Sequence, residues 1–316
     1  KICCKHTAKR RKRGTAMIFL QSFHMLSRKE DEDFFNTQSP SFKEKTHGTY
    51  YSTYYPFVMF RERNLPDFEF SDITVFYGNN GSGKSTILNI IAERLGLERG
   101  TAYNRSDFFD DYVELCRYRL AETIPRTSRI IASDDVFDQV LDIRRLNEGI
   151  DDRKANLIAD YVRGRGNPEQ EPNRLRGLDD YERWKAVSDA RSRKTTQSHY
   201  LRSRVMRNVQ ERSNGESALA FFVDSIADDT LYLLDEPENS LSPSNQIQLK
   251  YFIEDCVRNH GCQFVISTHS PFLLSLRRAK IYDLDSTPVR TRRWTELEGV
   301  RTYFDFFKEH MDEFDG

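Results

Sequence analysis

The sequence lacks any long hydrophobic run, and this excludes a bilayer-spanning helix, which needs about 20 mainly apolar residues. The short run Ala16–Leu20 follows a basic stretch, but Gln21, Ser22 and His24 interrupt it and no small-residue cleavage site follows, so it does not read as a secretory leader. Cysteine is scarce: five residues, an odd number without metal-ligand spacing. That excludes a disulfide framework. Cys3 and Cys4 fall in the basic start, while Cys116, Cys256 and Cys262 lie in or near apolar segments and are expected as reduced core thiols of a cytoplasmic protein. Excess charge is also missing. The net charge is −1, and residues 1–16 hold seven Lys or Arg and no acid, leaving −8 on residues 17–316. A mildly acidic body does not suit a general nucleic-acid coat protein. Residues 1–16 read as a basic tail, disordered or non-native, with Met17 as the expected natural start.

What is present alternates between strand-like and helix-like pattern. Residues 17–24 read as a first strand. Residues 25–67, polar and tyrosine-rich with Pro40, Pro56 and Pro66, read as loops and short edge elements. Phe68–Phe70 and Ile73–Tyr77 read as strands, and a helix with Ile87, Leu88, Ile91 and Leu95 on one face is expected from Gly83. Arg129–Ala132 is a short strand. Residues 134–212 are charged and helical in pattern, broken near Gly164, Gly166 and Pro168, and read as an inserted helical subdomain. Leu231–Leu234 and Gln263–Ser267 are continuous apolar runs of the kind buried in parallel sheets, with a helix between them from Pro243 to about Gly261. The expected division is therefore a tail over 1–16, a core over 17–133, the helical insertion over 134–212, and the rest of the core over 213–316.

Three strand ends carry chemistry. Gly78-Asn79-Asn80-Gly81-Ser82-Gly83-Lys84-Ser85-Thr86 fits G-x-x-x-x-G-K-[ST] between a strand and a helix. Its glycines let backbone N–H groups converge on phosphate oxygens, the helix start adds partial positive charge, Lys84 reaches the β- and γ-phosphates, and Ser85 offers a hydroxyl to Mg²⁺. The strand Leu231–Leu234 ends in Asp235 and Glu236 before Pro237. Asp235 suits Mg²⁺ and Glu236 suits orientation or deprotonation of a water, although the pair alone would also read as acids before a helix start. Ile266-Ser267-Thr268-His269-Ser270-Pro271 places His269 at a third strand end, fit to donate to a γ-phosphate. Ser213-Asn214-Gly215-Glu216-Ser217 precedes an apolar helix from Ala218 to Ile226. It reads as a capping box or, with the same geometry, as a second anion site serving a nucleotide held by another subunit.

The order of these motifs resembles the ABC-type ATPase superfamily, and within it the small stand-alone bacterial ATPases of the SMC/RecF-like branch, over roughly residues 17–316. The resemblance implies an α/β P-loop NTPase core of ABC-ATPase type with an inserted helical subdomain. It implies Walker A roles for Gly78, Gly83, Lys84, Ser85 and Thr86, and Walker B and catalytic roles for Asp235 and Glu236. It also implies a signature loop at Ser213 and Gly215, a coupling loop at Asn239, Ser240 and Leu241, and a switch role for His269. Two departures stand out. The signature reads S-N-G-E-S, which points away from transporters. The usual glutamine is not obvious: Asp134 and Asp135 occupy its expected place after the short strand, Gln139 lies four or five residues further on, and any of the three is a candidate for the Mg²⁺-water contact.

The family implies ATP and Mg²⁺ as cofactors and a head-to-tail homodimer that closes on ATP. Residues 191–212, with seven Lys or Arg against Glu211, read either as a solvated basic face or as a contact to phosphate backbone. The expected activity is ATP hydrolysis by a dimerising clamp acting with nucleic acid, a nuclease or another protein partner. The alternatives are the separate ATP-binding subunit of a transporter and a non-hydrolysing nucleotide switch.

Overall fold

The fold is built on two β-sheets. In the computed structural model, which describes residues 17–37, 53–138, 141–142 and 214–314 (the side chains of 214–217 and Ser240 excepted), the larger sheet has six strands in the order β5-β6-β7-β3-β8-β9. These are β3 Ile73–Tyr77, β5 Arg129–Ala132, β6 Leu231–Asp235, β7 Gln263–Ser267, β8 Lys280–Asp283 and β9 Arg290–Arg292. Every pair is parallel except β8 with β9. A smaller antiparallel sheet, β2-β1-β4, is built from β1 Leu20–His24, β2 Phe68–Glu69 and β4 Arg117–Leu120. The chain divides into two compact units, Lys1–Phe137 with Asn214–Gly316, and Asp138–Ser213. Both sheets belong to the first unit.

The central strands β3, β6 and β7 of the large sheet are buried on both faces, and their side chains divide with the period of two that a strand imposes. Phe76, Leu231, Leu233 and Val265 face one core with Ile87, Leu88, Ile90 and Ile91 of helix α2, which spans Lys84–Leu95. Val75, Tyr77, Tyr232, Leu234, Phe264 and Ile266 face the other. That second core is closed by helices Asn214–Ser225 (α4), Pro243–Asn259 (α5), Pro271–Leu274 (α6) and Glu298–Glu309 (α7), while Phe109–Leu115 (α3) packs with α2 in the first. Apolar residues on both faces explain why the strands read as unbroken hydrophobic runs.

Two polar side chains tie the two sheets together: the Tyr282 hydroxyl of β8 accepts the Glu69 N–H of β2 at 2.8 Å and donates to its carbonyl at 3.0 Å, and Gln263 makes the larger set. Gln263 is fully buried at the start of β7. Its Oε1 accepts the N–H groups of Phe19 and Leu20 at 2.8 and 2.9 Å, and its Nε2 donates to the carbonyls of Leu20 and Ser71 at 2.9 and 3.0 Å. All four hydrogen-bonding positions of the amide are thus used, which is the condition for burying it without loss.

The segment 25–67 departs from its expected loops. Helix α1 runs Arg28–Thr37. Ser27 and Glu30 close a capping box: Ser27 N–H reaches Glu30 Oε2 at 2.9 Å and Glu30 N–H reaches Ser27 Oγ at 3.4 Å. Its one buried residue is Asp31, whose carboxylate takes the Arg61 guanidinium at 2.7 Å and the Val58 N–H at 2.9 Å. The helix therefore docks through an ion pair together with Phe34 and Phe35, which pack on Phe57, and no repeating apolar stripe marked it in the sequence. α4 also begins earlier than expected, at Asn214, so Gly215 lies in its first turn. Ser213, Gln139, residues 1–16, most of 134–212 and the basic stretch 191–212 lie outside the described residues. Cys116, Cys256 and Cys262 are buried free thiols. Among the described residues no helix is long and apolar enough to cross a membrane.

Candidate nucleotide site

The sheet order brings the three chemical strand ends to one edge. β7 lies between β3 and β6, with Phe76 paired to Ser267 and Ser267 to Asp235. The loop 78–83 leaves β3 and turns into α2, whose N-cap Gly83 has φ 94°. A Cβ at Gly83 would come within 2.6 Å of Phe60 Cε1, so both its backbone angle and its neighbour require glycine there.

Lys84 is buried, and its Nζ donates to the carbonyls of Gly78 at 2.9 Å and Asn79 at 3.2 Å. The same ammonium lies 3.2 Å from Glu236 Oε1. Ser85 Oγ donates to Asp235 Oδ1 at 2.9 Å, and Ser267 Oγ donates to the same oxygen. Thus the phosphate-loop lysine and serine each touch one of the two carboxylates at the end of β6. Burial pushes the Asp235 carboxyl above its ordinary value despite the two serine hydroxyls. Burial acts in the same direction on Glu236, but hydrogen bonding from Asn239 and the charge of Lys84 outweigh it and hold Glu236 below its ordinary value. Glu236 sits in left-handed backbone, φ 46° and ψ 53°, where the chain leaves β6 and enters a single 3₁₀ turn, Pro237–Ser240. The acids do therefore precede a short helical turn, as the simpler reading had it, and they also face the loop.

His269 is about half exposed and its Nδ1 lies 3.3 Å from Glu238 Oε1. Glu238 passed unnoticed in the sequence. It is buried, and its Oε1 accepts from Thr268 Oγ1, His269 N–H and Ser270 N–H at 2.6, 2.8 and 3.2 Å. It joins the turn after β6 to the end of β7, so Asn239 and Leu241 are mechanically connected to His269. Beside them opens a cavity of about 530 Å³ walled by Trp294, Tyr303, Phe304 and Phe307.

Of the candidates for the missing glutamine, Asp134 is exposed, and Asp135 uses one carboxylate oxygen to accept the Ala132 N–H at 2.7 Å. Its other oxygen is buried without a partner. Asp135 caps the turn after β5 and keeps one free acceptor.

Sequence reasoning also missed the surroundings of the phosphate loop. Tyr55 donates to Thr86 Oγ1 at 3.0 Å. Arg63 reaches three carbonyls, and Asp285 accepts the Asn79 N–H at 2.8 Å. These residues come from the stretch read as loops and from beyond β8, with no motif to mark them.

The side chains fit a magnesium triphosphate. Ser82 Oγ is buried without a partner inside the loop. Ser85 and Asp235 present hard oxygen donors side by side, as Mg²⁺ prefers.

A family model described as "AAA domain, putative AbiEii toxin, Type IV TA system" matches residues 92–275, more than half of the 316-residue chain. The chain belongs to this AAA-domain family. The matched span of the AAA domain carries Asp235, Glu236 and His269, whereas the phosphate loop precedes it and stands on its own motif and geometry. No curated protein matches the chain. Among solved structures, the chain is similar to the Smc head domain of Pyrococcus furiosus, crystallised with an extended coiled coil and the C-terminal domain of ScpA. That match has 13% identity, covers 77% of this chain and 94% of that one, and has a TM-score of 0.35. It is similar to a nucleotide-free ATP-binding cassette from an ABC transporter at 14% identity, 76% and 87% coverage and TM-score 0.35. A dimeric ATP-binding cassette in a post-hydrolysis state with ADP and Pi matches at 16% identity, 73% and 90% coverage and TM-score 0.33.

Proposed function

We propose that this AAA-domain protein binds ATP with Mg²⁺ and hydrolyses it as a clamp that dimerises on ATP. The observation that carries the reading is the convergence of Lys84 and Ser85 on Glu236 and Asp235 at one sheet edge. Lys84 and the N–H groups at the start of α2 hold the phosphates. Ser85 and Asp235 hold Mg²⁺, which neutralises phosphate charge when bound. Glu236, at the end of β6 beside Lys84, orients and deprotonates the attacking water. His269, poised by Glu238, donates to the terminal phosphate oxygen. Gly215, in the first turn of α4, and Ser213 before it supply the second anion site from a facing protomer. A triphosphate then contacts both protomers and hydrolysis removes the shared contact, which gives ATP and ADP the differential affinity that opening requires.

The basic stretch 191–212 supports nucleic acid as the clamp's substrate, with a nuclease or other protein as partner. The test is gel filtration with light scattering on Glu236→Gln with saturating Mg²⁺ and ATP. A stable dimer is expected. A monomer under those conditions, with ATP bound, would remove dimerisation from the reading.

A further inference from the structure

The phosphate loop is braced from outside its own motif. Arg63 Nη1 donates to the carbonyls of Ser82 at 2.7 Å and Leu284 at 3.1 Å, and Nη2 reaches the Gly81 carbonyl at 3.4 Å. On the opposite arm of the loop, Asp285 Oδ2 accepts the Asn79 N–H at 2.8 Å. Leu284 is itself anchored, since its N–H donates to the Tyr77 carbonyl at 2.9 Å at the end of β3. The apex of the loop is thus tied on both sides to the chain just after β8.

A trans peptide is planar, with its C=O and N–H pointing in opposite directions. Holding the Ser82 carbonyl on the guanidinium therefore turns the Gly83 N–H away from Arg63 and toward the inside of the loop. Holding Gly81 does the same for the Ser82 N–H, which closes the turn onto the Asn79 carbonyl at 3.0 Å. Gly83, at φ 94°, has wide backbone freedom, so without such a hold its preceding peptide plane can rotate. A planar fork of donors suits this task and a point charge does not.

We infer that Arg63 is a positioning residue for the triphosphate: it fixes the Ser82–Gly83 peptide so that the Gly83 N–H is set for a phosphate oxygen before nucleotide arrives. This role rests on the ATP-binding reading and adds to it a residue outside the loop motif.

The test uses the full chain with Arg63→Lys and Arg63→Gln, reading the Kd of a fluorescent N-methylanthraniloyl ATP by anisotropy, the KM and kcat for ATP, and Tm. Both variants are expected to weaken nucleotide binding and raise KM by about tenfold or more, the usual weight of hydrogen bonds from a charged group. The value of kcat should stay within about threefold and Tm within a few degrees, because Arg63 touches neither Glu236 nor Asp235. Should the Gln variant fail to fold, the Lys variant carries the test. Wild-type affinity in the Lys variant would overturn the inference, since charge alone would then suffice. A loss confined to kcat would overturn it too. Wild-type protein that binds no nucleotide would sink the ATP reading itself, whereas normal wild-type binding with an unaffected variant sinks only the role of Arg63.

Discussion

Lys84 Nζ lies 3.2 Å from Glu236 Oε1, so the residue proposed to grip phosphate is paired with the one proposed to activate water. A phosphate group must compete with this carboxylate for the ammonium. Glu236→Gln keeps the shape and removes the competing charge. The variant should bind ATP about three- to tenfold more tightly than wild type while losing turnover. Equilibrium titration with ATP checks the first half. Weaker binding in the variant would mean that Glu236 helps to hold nucleotide.

Asp235 gives a prediction with the opposite electrostatic sign. Its carboxyl is raised above 3.8 by burial, so the charged form costs stability once pH exceeds the folded value, and the cost vanishes below the unfolded one. Asp235→Asn still offers Oδ1 to Ser85 and Ser267. Without nucleotide it should melt at or above the wild-type temperature near pH 8, the gain shrinking toward pH 4. The stabilisation that Mg²⁺ with ATP gives wild type should be lost. Thermal melts across pH, with and without Mg²⁺ and ATP, read both effects.

Gln263→Leu removes four hydrogen bonds and leaves the Phe19 and Leu20 N–H groups and the Leu20 and Ser71 carbonyls without their buried partner. The expected cost is about 2–4 kcal/mol, measured by urea unfolding. A loss under about 0.5 kcal/mol would show that the Gln263 amide contributes little to holding the two sheets together.

His24, Glu30 and Asp67 form a cluster whose pH response has two limits. Burial lowers His24, but hydrogen bonds to Asp67 and Glu30 win and raise it above 6.5. Its contribution is complete below 6.5 and is lost as pH rises through the raised folded value. Burial raises Glu30, but Ser27 and His24 bring it to about 2, so its contribution is complete above 4.5 and lost as pH falls toward 2. His24→Gln should therefore cost most between pH 4.5 and 6.5 and progressively less above. A pH-independent cost would assign His24 a packing role only.

Contiguous motifs and scattered partners differ in how far sequence reveals them. Gly78–Thr86 and Leu231–Glu236 were readable because each motif is contiguous, and the apolar runs before them announce strands buried on both faces. That the two motifs meet follows from β6 and β3 both flanking β7, a relation no local pattern contains. Helix α1 escaped because its one buried residue is Asp31, paired with Arg61, and its apolar contacts come from the adjacent Phe34 and Phe35 without a repeating stripe, although Ser27 and Glu30 stood at capping-box spacing. Arg63, Tyr55, Asp285 and Glu238 escaped for a different reason. Each acts on backbone or hydroxyl groups distant in sequence, and a single arginine or aspartate in a polar stretch carries no signature of its carbonyl or amide partner.

The central claim is that the edge formed by Lys84, Ser85, Asp235 and Glu236 hydrolyses ATP. The most direct measurement is phosphate release from Mg²⁺ and ATP by the wild-type chain beside Glu236→Gln, with ATP binding measured on the same samples. The account predicts steady release by wild type and a fall of about a hundredfold or more in the variant, with binding retained. Equal release by both proteins, or ATP bound by wild type without release under every condition that supports dimerisation, would contradict it.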